Sequence, residues 1–422
     1  MNPADLAGWL AHIERLHPKT IAMGLERVAR VRDALGLAPA CPVFVVGGTN
    51  GKGSTCAMLE AILLAAGYRV GCYTSPHLMR YNERVRIDGR EASDDALCAG
   101  FAAVEAARGG VELTYFEFGT LAAMVAFERA GPDALVLEIG LGGRLDAVNA
   151  FDADCALLTS VDMDHMEYLG DTRERIGWEK AHIFRAGRPA ICGDPLPPAT
   201  VPEVAASMGA DLQVVGRDFG YEGDRQQWRY WGRGGTRAGL AYPALRGANQ
   251  LLNAASVITA LDTLRERLPV SNQAIRQGFA LVELPGRFQV LPGRPAVILD
   301  VAHNPHAAAV LAENLSNMGF FPTTHAVFAM LRDKDIAAVS RRMAGRVDHW
   351  HVASLSATPR GATSAEVAAA LREARAGGVI REHATVAQAY AAAREAADEG
   401  DRIVVFGSFH TVAEVMAVRG GR

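Results

Sequence analysis

The sequence predicts an α/β protein in two parts. An N-terminal domain of the phosphate-loop type, with a mostly parallel sheet, covers residues 1–284, and a smaller C-terminal α/β (Rossmann-like) domain covers 287–422. Three observations carry this expectation. Short apolar, β-branched runs alternate with helical patterns along the chain. The stretch VFVVGGTNGKGST sets a glycine-rich turn between a strand and a helix. At Pro285-Gly286 the alternation breaks and then restarts.

Composition limits the function classes. With 422 residues the chain exceeds one domain of typical size, about 150 residues. Half the residues are hydrophobic (50%) and 21% are charged, enough apolar surface to bury a core. The net charge of −4 argues against nucleic acid and against an anionic membrane surface as partners. Six cysteines form no C-x-x-C pair and read as reduced core residues. No apolar run reaches about 18 residues, and MNPADLAGWL has neither a basic nor an apolar leader region. A soluble, cytoplasmic protein is expected.

Taken in order, residues 3–16 read as an amphipathic helix, followed by a helix from Gly24 to Leu35. The intervening loop, His17 to Met23, is either a connector or a wall of a substrate site. Val43 to Val46 reads as a buried strand. In the turn after it, Thr49, Asn50, Gly51 and Gly53 offer backbone N–H groups to phosphate, Lys52 reaches the outer phosphates, and Ser54 or Thr55 supplies a hydroxyl. The pattern G-x-x-x-x-G-K-[ST] is not met, because Val46 replaces its first glycine and Gly53 separates Lys52 from Ser54. Val70 to Thr74 is the next strand, with Ser75-Pro76 at its carboxyl end as either a plain turn or a ligand-binding edge. Helices follow over Asp94 to Ala107 and Thr114 to Arg129.

Ala134 to Ile139 is a buried strand carrying Glu138. A carboxylate in an apolar run is costly unless paired, so Glu138 is a Mg²⁺ ligand or a partner of an arginine. Cys155 to Ser160 is a further strand, ending near Asp162, Asp164 and His165; that histidine alone reads as a surface residue. Asp171 or Thr172 caps a helix to about Phe184, with Glu174 in capping-box position and Lys180 within it. Strands near 190–192 and 212–215, a hairpin over 228–245, and helices over 248–264 and 272–282 complete the first domain. Beyond Pro285-Gly286 the reading is strand (to Asp300), helix, strand (His325 to Met330), helix, strand (His349 to Leu355), two helices, strand (Arg402 to Phe406) and helix.

GTNGKGST, TSPHLMRYNERVR, LTYFEFGTL, LEIGLGGRLDAVN, DHMEYLG, WEKAHIF, LPGRFQ, LDVAHNPHA, MLRDKD and GSFHTVAE together resemble the dihydrofolate synthase/folylpolyglutamate synthase family of the Mur ligase superfamily. The resemblance runs from about Trp9 to Met416 and includes the odd glycine spacing of the phosphate loop. It implies an ATP-dependent ligase adding L-glutamate to dihydropteroate and to reduced folates through an acyl phosphate. Folylpolyglutamate synthesis alone, another Mur-type amide ligase and a non-ligase nucleotide module are the alternatives. It further implies a P-loop ATPase-like first domain, ATP as co-substrate, two Mg²⁺ ions and a monomer.

By the same resemblance, Lys52 and its loop hold ATP phosphates, and Ser75, Glu138 and His165 bind Mg²⁺. Lys180 is implied to be carbamylated and to bind a second Mg²⁺. Asn249 and Asn253 fall at the nucleotide, Arg287 at phosphate and Asp300 at ribose. Thr114, Phe116 and Asp146 are implied at the pterin, and His303 and Ser408 near the incoming glutamate. Ala22 stands where a polar residue is expected in some members, which leaves pterin contacts by that loop open.

Overall fold

The computed structural model describes residues 3–19, 21–223, 227–247, 249–358 and 360–420. The chain forms two compact units, Met1–Ala244 with Leu251–Val282, and Leu245–Gln250 with Glu283–Arg422.

The first unit holds an eight-stranded sheet of β1 (Val43–Gly47), β2 (Val70–Tyr73), β3 (Val85–Ile87), β4 (Arg90–Glu91), β5 (Ala134–Glu138), β6 (Cys155–Leu158), β7 (Pro189–Cys192) and β8 (Asp211–Val214), in the order β4-β3-β2-β5-β1-β6-β7-β8. From β2 to β8 all neighbours are parallel, and only the β2–β3 and β3–β4 pairs are antiparallel. β1 and β5 are buried at every position, so their sequences are continuous apolar runs rather than alternations. The helices are α1 (Leu6–Ile13), α2 (Glu26–Leu35), α3 (Lys52–Ala65), α4 (Asp94–Ala107), α5 (Tyr115–Ala130), α6 (Met166–Leu169), α7 (Arg173–Ala181), α8 (Thr200–Met208), α9 (Gln250–Thr263) and α10 (Asn272–Leu281). A separate antiparallel sheet has β9 (Gly220–Gly223), β10 (Trp228–Gly232) and β11 (Gly235–Leu240), one strand more than the expected hairpin.

The second unit carries β12 (Gln289–Leu291), β13 (Ala296–Leu299), β14 (Thr324–Phe328), β15 (His349–Ala353), β16 (Val379–His383) and β17 (Arg402–Phe406), ordered β12-β13-β17-β14-β15-β16. All pairs are parallel except β12 with β13. Its helices are α11 (Pro305–Ser316), α12 (Ile336–Met343), α13 (Ser364–Glu373), α14 (Val386–Ala396) and α15 (Phe409–Gly420).

Two expectations are corrected. The two helices read in succession after β15 are separated by β16, an edge strand whose sequence VIREH is largely exposed and lacks the apolar run of a central strand. Of the two cap alternatives it is Thr172 that caps α7 and accepts the N–H of Arg175, so Glu174 is not in the capping-box position expected but one residue short of it. Among the described residues no helix is long and apolar enough to cross a membrane.

Candidate active site

The strand order gathers the candidate residues of the first unit. β2, β5, β1 and β6 are consecutive neighbours. Their carboxyl ends therefore bring Ser75, Glu138, the loop 48–52 and the segment 159–165 to one edge of the sheet.

Gly51, in the left-handed region at φ +88°, ends the glycine loop, and Lys52 opens α3. Helix N–H groups at this end have no intrahelical acceptor and carry the positive end of the helix dipole. The segment after β6 buttresses the loop. Thr159 Oγ1 donates to Gly47 O (3.1 Å) and Asn50 O (2.7 Å), while Asn50 N donates to Ser160 Oγ (3.0 Å). Thr49 N donates to Ser160 O, and Thr49 Oγ1 donates to Asp162 O. Gly48 admits no side chain, since a Cβ there would fall 1.9 Å from Thr159 Oγ1. Asn253 of α9 packs on Gly51, its Oδ1 2.9 Å from where a Cβ would stand.

Two lysines converge on this loop. Lys52 Nζ donates to Gly48 O (3.1 Å) and Thr49 O (3.3 Å), and Lys180 Nζ donates to the same Gly48 O (3.0 Å). Lys180 is buried, only 5% exposed. Loss of solvation and the Lys52 charge pull its amine down to about 7, against the opposing pull of Asp164 and Asp146.

Glu138 is buried and its Oε2 accepts the N–H of Ser75 at 3.1 Å. His165 has φ +50° at the cap of α6 and lies beside Asp164 (Nε2 to Oδ2, 3.8 Å). Asp162 and Asp164 each spend one carboxylate oxygen on the following backbone N–H. Among the described residues no cluster of three or more His, Cys, Asp or Glu could hold a metal alone. The oxygen donors Glu138 and Ser75 are of the kind a hard cation such as Mg²⁺ takes while keeping waters and sharing substrate phosphates, whereas the imidazole of His165 is a poor ligand for it.

The third group lies around the turn 140–146. Thr114 caps α5 in a capping box, accepting from Glu117 N while Glu117 accepts from Thr114 N. Phe116 covers Gly140, where a Cβ would stand 2.5 Å from its ring. Asp146 accepts the N–H of Leu141 (2.8 Å) and of Val148 (3.0 Å). Burial raises its carboxyl to about 7, although these N–H groups and the Lys52 charge oppose the shift.

In the second unit β13 and β17 are neighbours, so Asp300 and His303 follow one strand and Ser408 the next. Asp300 accepts from Phe288 N (2.9 Å) and Ala302 N (2.8 Å), and burial raises it to about 6 against those bonds and Arg287. Arg287 lies over the Phe409 ring, 4.9 Å from its centre, and His303 contacts the same ring. Ser408 is buried, its hydroxyl accepting Thr411 N and contacting Thr411 Oγ1 at the start of α15. Asn249 belongs to the segment Leu245–Gln250 of this unit, whereas Asn253 belongs to the first.

Sequence reasoning missed a buried fork between Glu60 of α3 and Arg86 of β3. Arg86 Nε reaches both Glu60 oxygens, Nη2 reaches Oε2 at 2.6 Å, and Nη1 donates to Thr74 Oγ1 beside Ser75. Glu60 sits inside the apolar run CAMLEAILL, and the argument applied to Glu138 would have flagged it.

Known proteins extend this geometry. The model of the Mur ligase middle domain matches residues 46–192, and that of the Mur ligase glutamate ligase domain matches 286–409. The dihydrofolate synthase/folylpolyglutamate synthase of Escherichia coli is 48% identical over 421 residues, covering 99% of this chain and 96% of that protein. The structure of E. coli FolC in complex with DHPP and ADP superposes with a TM-score of 0.94 at 47% identity, covering 99% of this chain and 98% of that one. A bifunctional folylpolyglutamate synthase/dihydrofolate synthase with Mn, AMPPNP and L-glutamate bound gives 0.92 at 45% identity, covering 100% of both chains. The chain belongs to the dihydrofolate synthase/folylpolyglutamate synthase family of Mur ligases.

Proposed function

We infer that this chain is an ATP-dependent ligase that joins L-glutamate to dihydropteroate, giving dihydrofolate, and adds further glutamates to reduced folates. One observation carries the reading within the site. Two lysine amines meet at Gly48 O on a glycine loop, at the sheet edge that also bears Glu138 and Ser75. Relatives bind the matching ligands, ADP with DHPP in one structure and Mn with AMPPNP and L-glutamate in another.

A carboxylate resists attack by an amine, so it is first phosphorylated. The γ-phosphoryl group of ATP passes to the pteroate or folate carboxylate, giving an acyl phosphate and ADP. The free amine of glutamate then attacks the acyl carbon, and phosphate leaves as the amide forms. Lys52 exchanges its loop carbonyls for phosphate oxygens and offsets charge as the phosphoryl group moves, with Thr49, Asn50, Gly51, Gly53 and Ser54 around it. Ser75, Glu138 and His165 hold Mg²⁺, which when bound neutralises phosphate charge and aligns the two anions.

Lys180 in its neutral form attacks CO₂ through Nζ, releases a proton and becomes an anionic carbamate suited to a second Mg²⁺. Thr114, Phe116 and Asp146 bind the pterin, Phe116 by stacking and Asp146 as a carboxyl that exchanges its proton near neutrality. Asn249 and Asn253 serve the nucleotide, Arg287 phosphate, Asp300 ribose, and His303 and Ser408 the incoming glutamate. The enzyme acts as a cytoplasmic monomer on small molecules, without nucleic acid or membrane.

The test is glutamate-dependent ADP release with dihydropteroate, tetrahydrofolate or a cell-wall precursor as acceptor. Release with the first two is expected. Release with tetrahydrofolate alone reduces the function to polyglutamate synthesis, and release independent of any acceptor leaves only a nucleotide module.

A further inference from the structure

Arg27, at the start of α2, joins three features of the first unit. Its Nε and Nη2 donate to the two carboxylate oxygens of Glu117 (3.2 and 2.8 Å), and Nη2 also donates to Ala22 O at 2.7 Å. Glu117 is buried and is the same carboxylate that completes the capping box with Thr114. One planar guanidinium thus ties the Ala22 carbonyl, in the segment 21–24, to the first turn of α5, in a fork that a lysine cannot reproduce.

The tied loop reaches the acceptor side of the site. Met23 Cε lies 3.7 Å from where a Cβ on Gly142 would stand, and Leu169 flanks the same position. Two residues away Phe116 covers Gly140, and between them Leu141 N is bonded to Asp146. Met23, Phe116 and Asp146 therefore surround a single turn, with Arg27 bracing two of the elements that carry them.

We propose that Arg27 is a positioning residue for the acceptor: it clamps the segment 21–24 onto α5 so that Met23 forms a wall of the pterin pocket. This rests on the assignment of Thr114, Phe116 and Asp146 to the pterin. Arg27 touches neither substrate nor nucleotide; it acts through Met23 and through the cap of α5. The neutral amide of Ala22 suffices for the clamp because its carbonyl, not its side chain, is the acceptor.

The experiment measures KM for dihydropteroate, KM for ATP and kcat in Arg27→Met, Arg27→Lys, Met23→Ala and Phe116→Ala of the full chain. Arg27→Met is expected to raise the dihydropteroate KM about tenfold, with ATP KM and kcat within about twofold of wild type. Arg27→Lys, keeping one charge on Glu117 without the fork, is expected to recover only part of the loss. Met23→Ala is expected to raise the acceptor KM severalfold and leaves the ion pair intact, so it decides the proposal even where Arg27→Met does not fold. An unchanged acceptor KM in Met23→Ala, or equal losses for ATP and acceptor in the Arg27 variants, overturns the clamp. An unchanged acceptor KM in Phe116→Ala overturns the pterin assignment instead.

Discussion

At the glycine loop of the first unit two lysine amines share one carbonyl oxygen, whereas in the second unit a row of imidazoles lines one face of the sheet. His325 Nδ1 lies 3.4 Å from His351 Nε2, and His351 Nδ1 lies 3.4 Å from His383 Nε2. His349 stacks on His325, and His325 Nε2 stands 3.7 Å from Asp401. Strand alternation sets this row on the face opposite the Trp350 and Val352 core, where α14 packs with buried Val386, Ala389, Tyr390 and Ala393. The Tyr390 hydroxyl accepts from Arg419, and Arg381 is the cation on the histidine strands.

Both clusters bury titratable groups, and burial drives each toward neutrality. Their surroundings differ. Lys180 sits among charges of both signs, Lys52 opposing it and Asp164 and Asp146 favouring it, and ends near the pH of the cell. His351 has basic neighbours only, and burial with His325, His383, Arg381 and His349 lowers it to about 3. The first cluster is poised between charge states, whereas the second is pushed to neutrality and leaves His325 Nε2 and His349 Nδ1 buried without a hydrogen-bond partner. A buried titratable group marks a site when its partners leave it poised, not simply because it is buried.

The largest effect that would break this contrast is expected at Lys52. Lys52→Ala should lower kcat by about 10³-fold while the circular dichroism spectrum is retained, as for loss of a charge aimed at the transition state. Turnover near wild type at saturating ATP would remove the lysine pair from the chemistry. Lys180 comes next. Protein equilibrated with ¹³C-bicarbonate and Mg²⁺ near neutral pH should show a carbamate carbon resonance, absent in Lys180→Ala. No such signal in wild type would return Lys180 to a purely electrostatic part.

The histidine row sharpens the comparison through stability. The folded value of His351 lies below its usual 6.5, so from about pH 6.5 down toward 3 the unfolded chain binds the extra proton. Stability is therefore present above this window and is lost as the pH falls, by about 2 kcal/mol between pH 7 and pH 5 for His351 alone. His325 and His383 are lowered by burial as well and act in the same direction. Urea titrations at the two pH values, read by hydrogen exchange in peptides of β14 and β15, should show the loss, and His351→Leu should flatten it. An equal slope in the variant would assign the pH dependence to other groups. The smallest effect concerns the helix that presents Lys180. Thr172→Ala removes the cap of α7 and should cost about 1 kcal/mol in thermal or urea unfolding. Asp171→Ala, off the cap, should cost less; the reverse order would move the cap to Asp171, the other alternative the sequence offered.

Much of this protein is legible in its sequence because the signals are local. A β-branched run followed by glycines and a helical pattern defines β1, the loop and α3 without reference to any other segment. Thr114 with Glu117 and Thr363 with Glu366 form capping boxes inside four residues. Glu138 stands out as a carboxylate inside an apolar run, whereas Ser75 and His165 are marked only by the family resemblance. Tertiary structure alone decided what those residues meet. Lys180 and Gly48 are 132 positions apart, and Arg27 and Glu117 are 90 apart, so no periodicity links them. β16 became a strand through pairing with β15, although its exposed, polar sequence carries no apolar run. The protonation of Asp146, Lys180 and His351 follows from desolvation by segments distant in sequence, a quantity that exists only once the chain has closed around them.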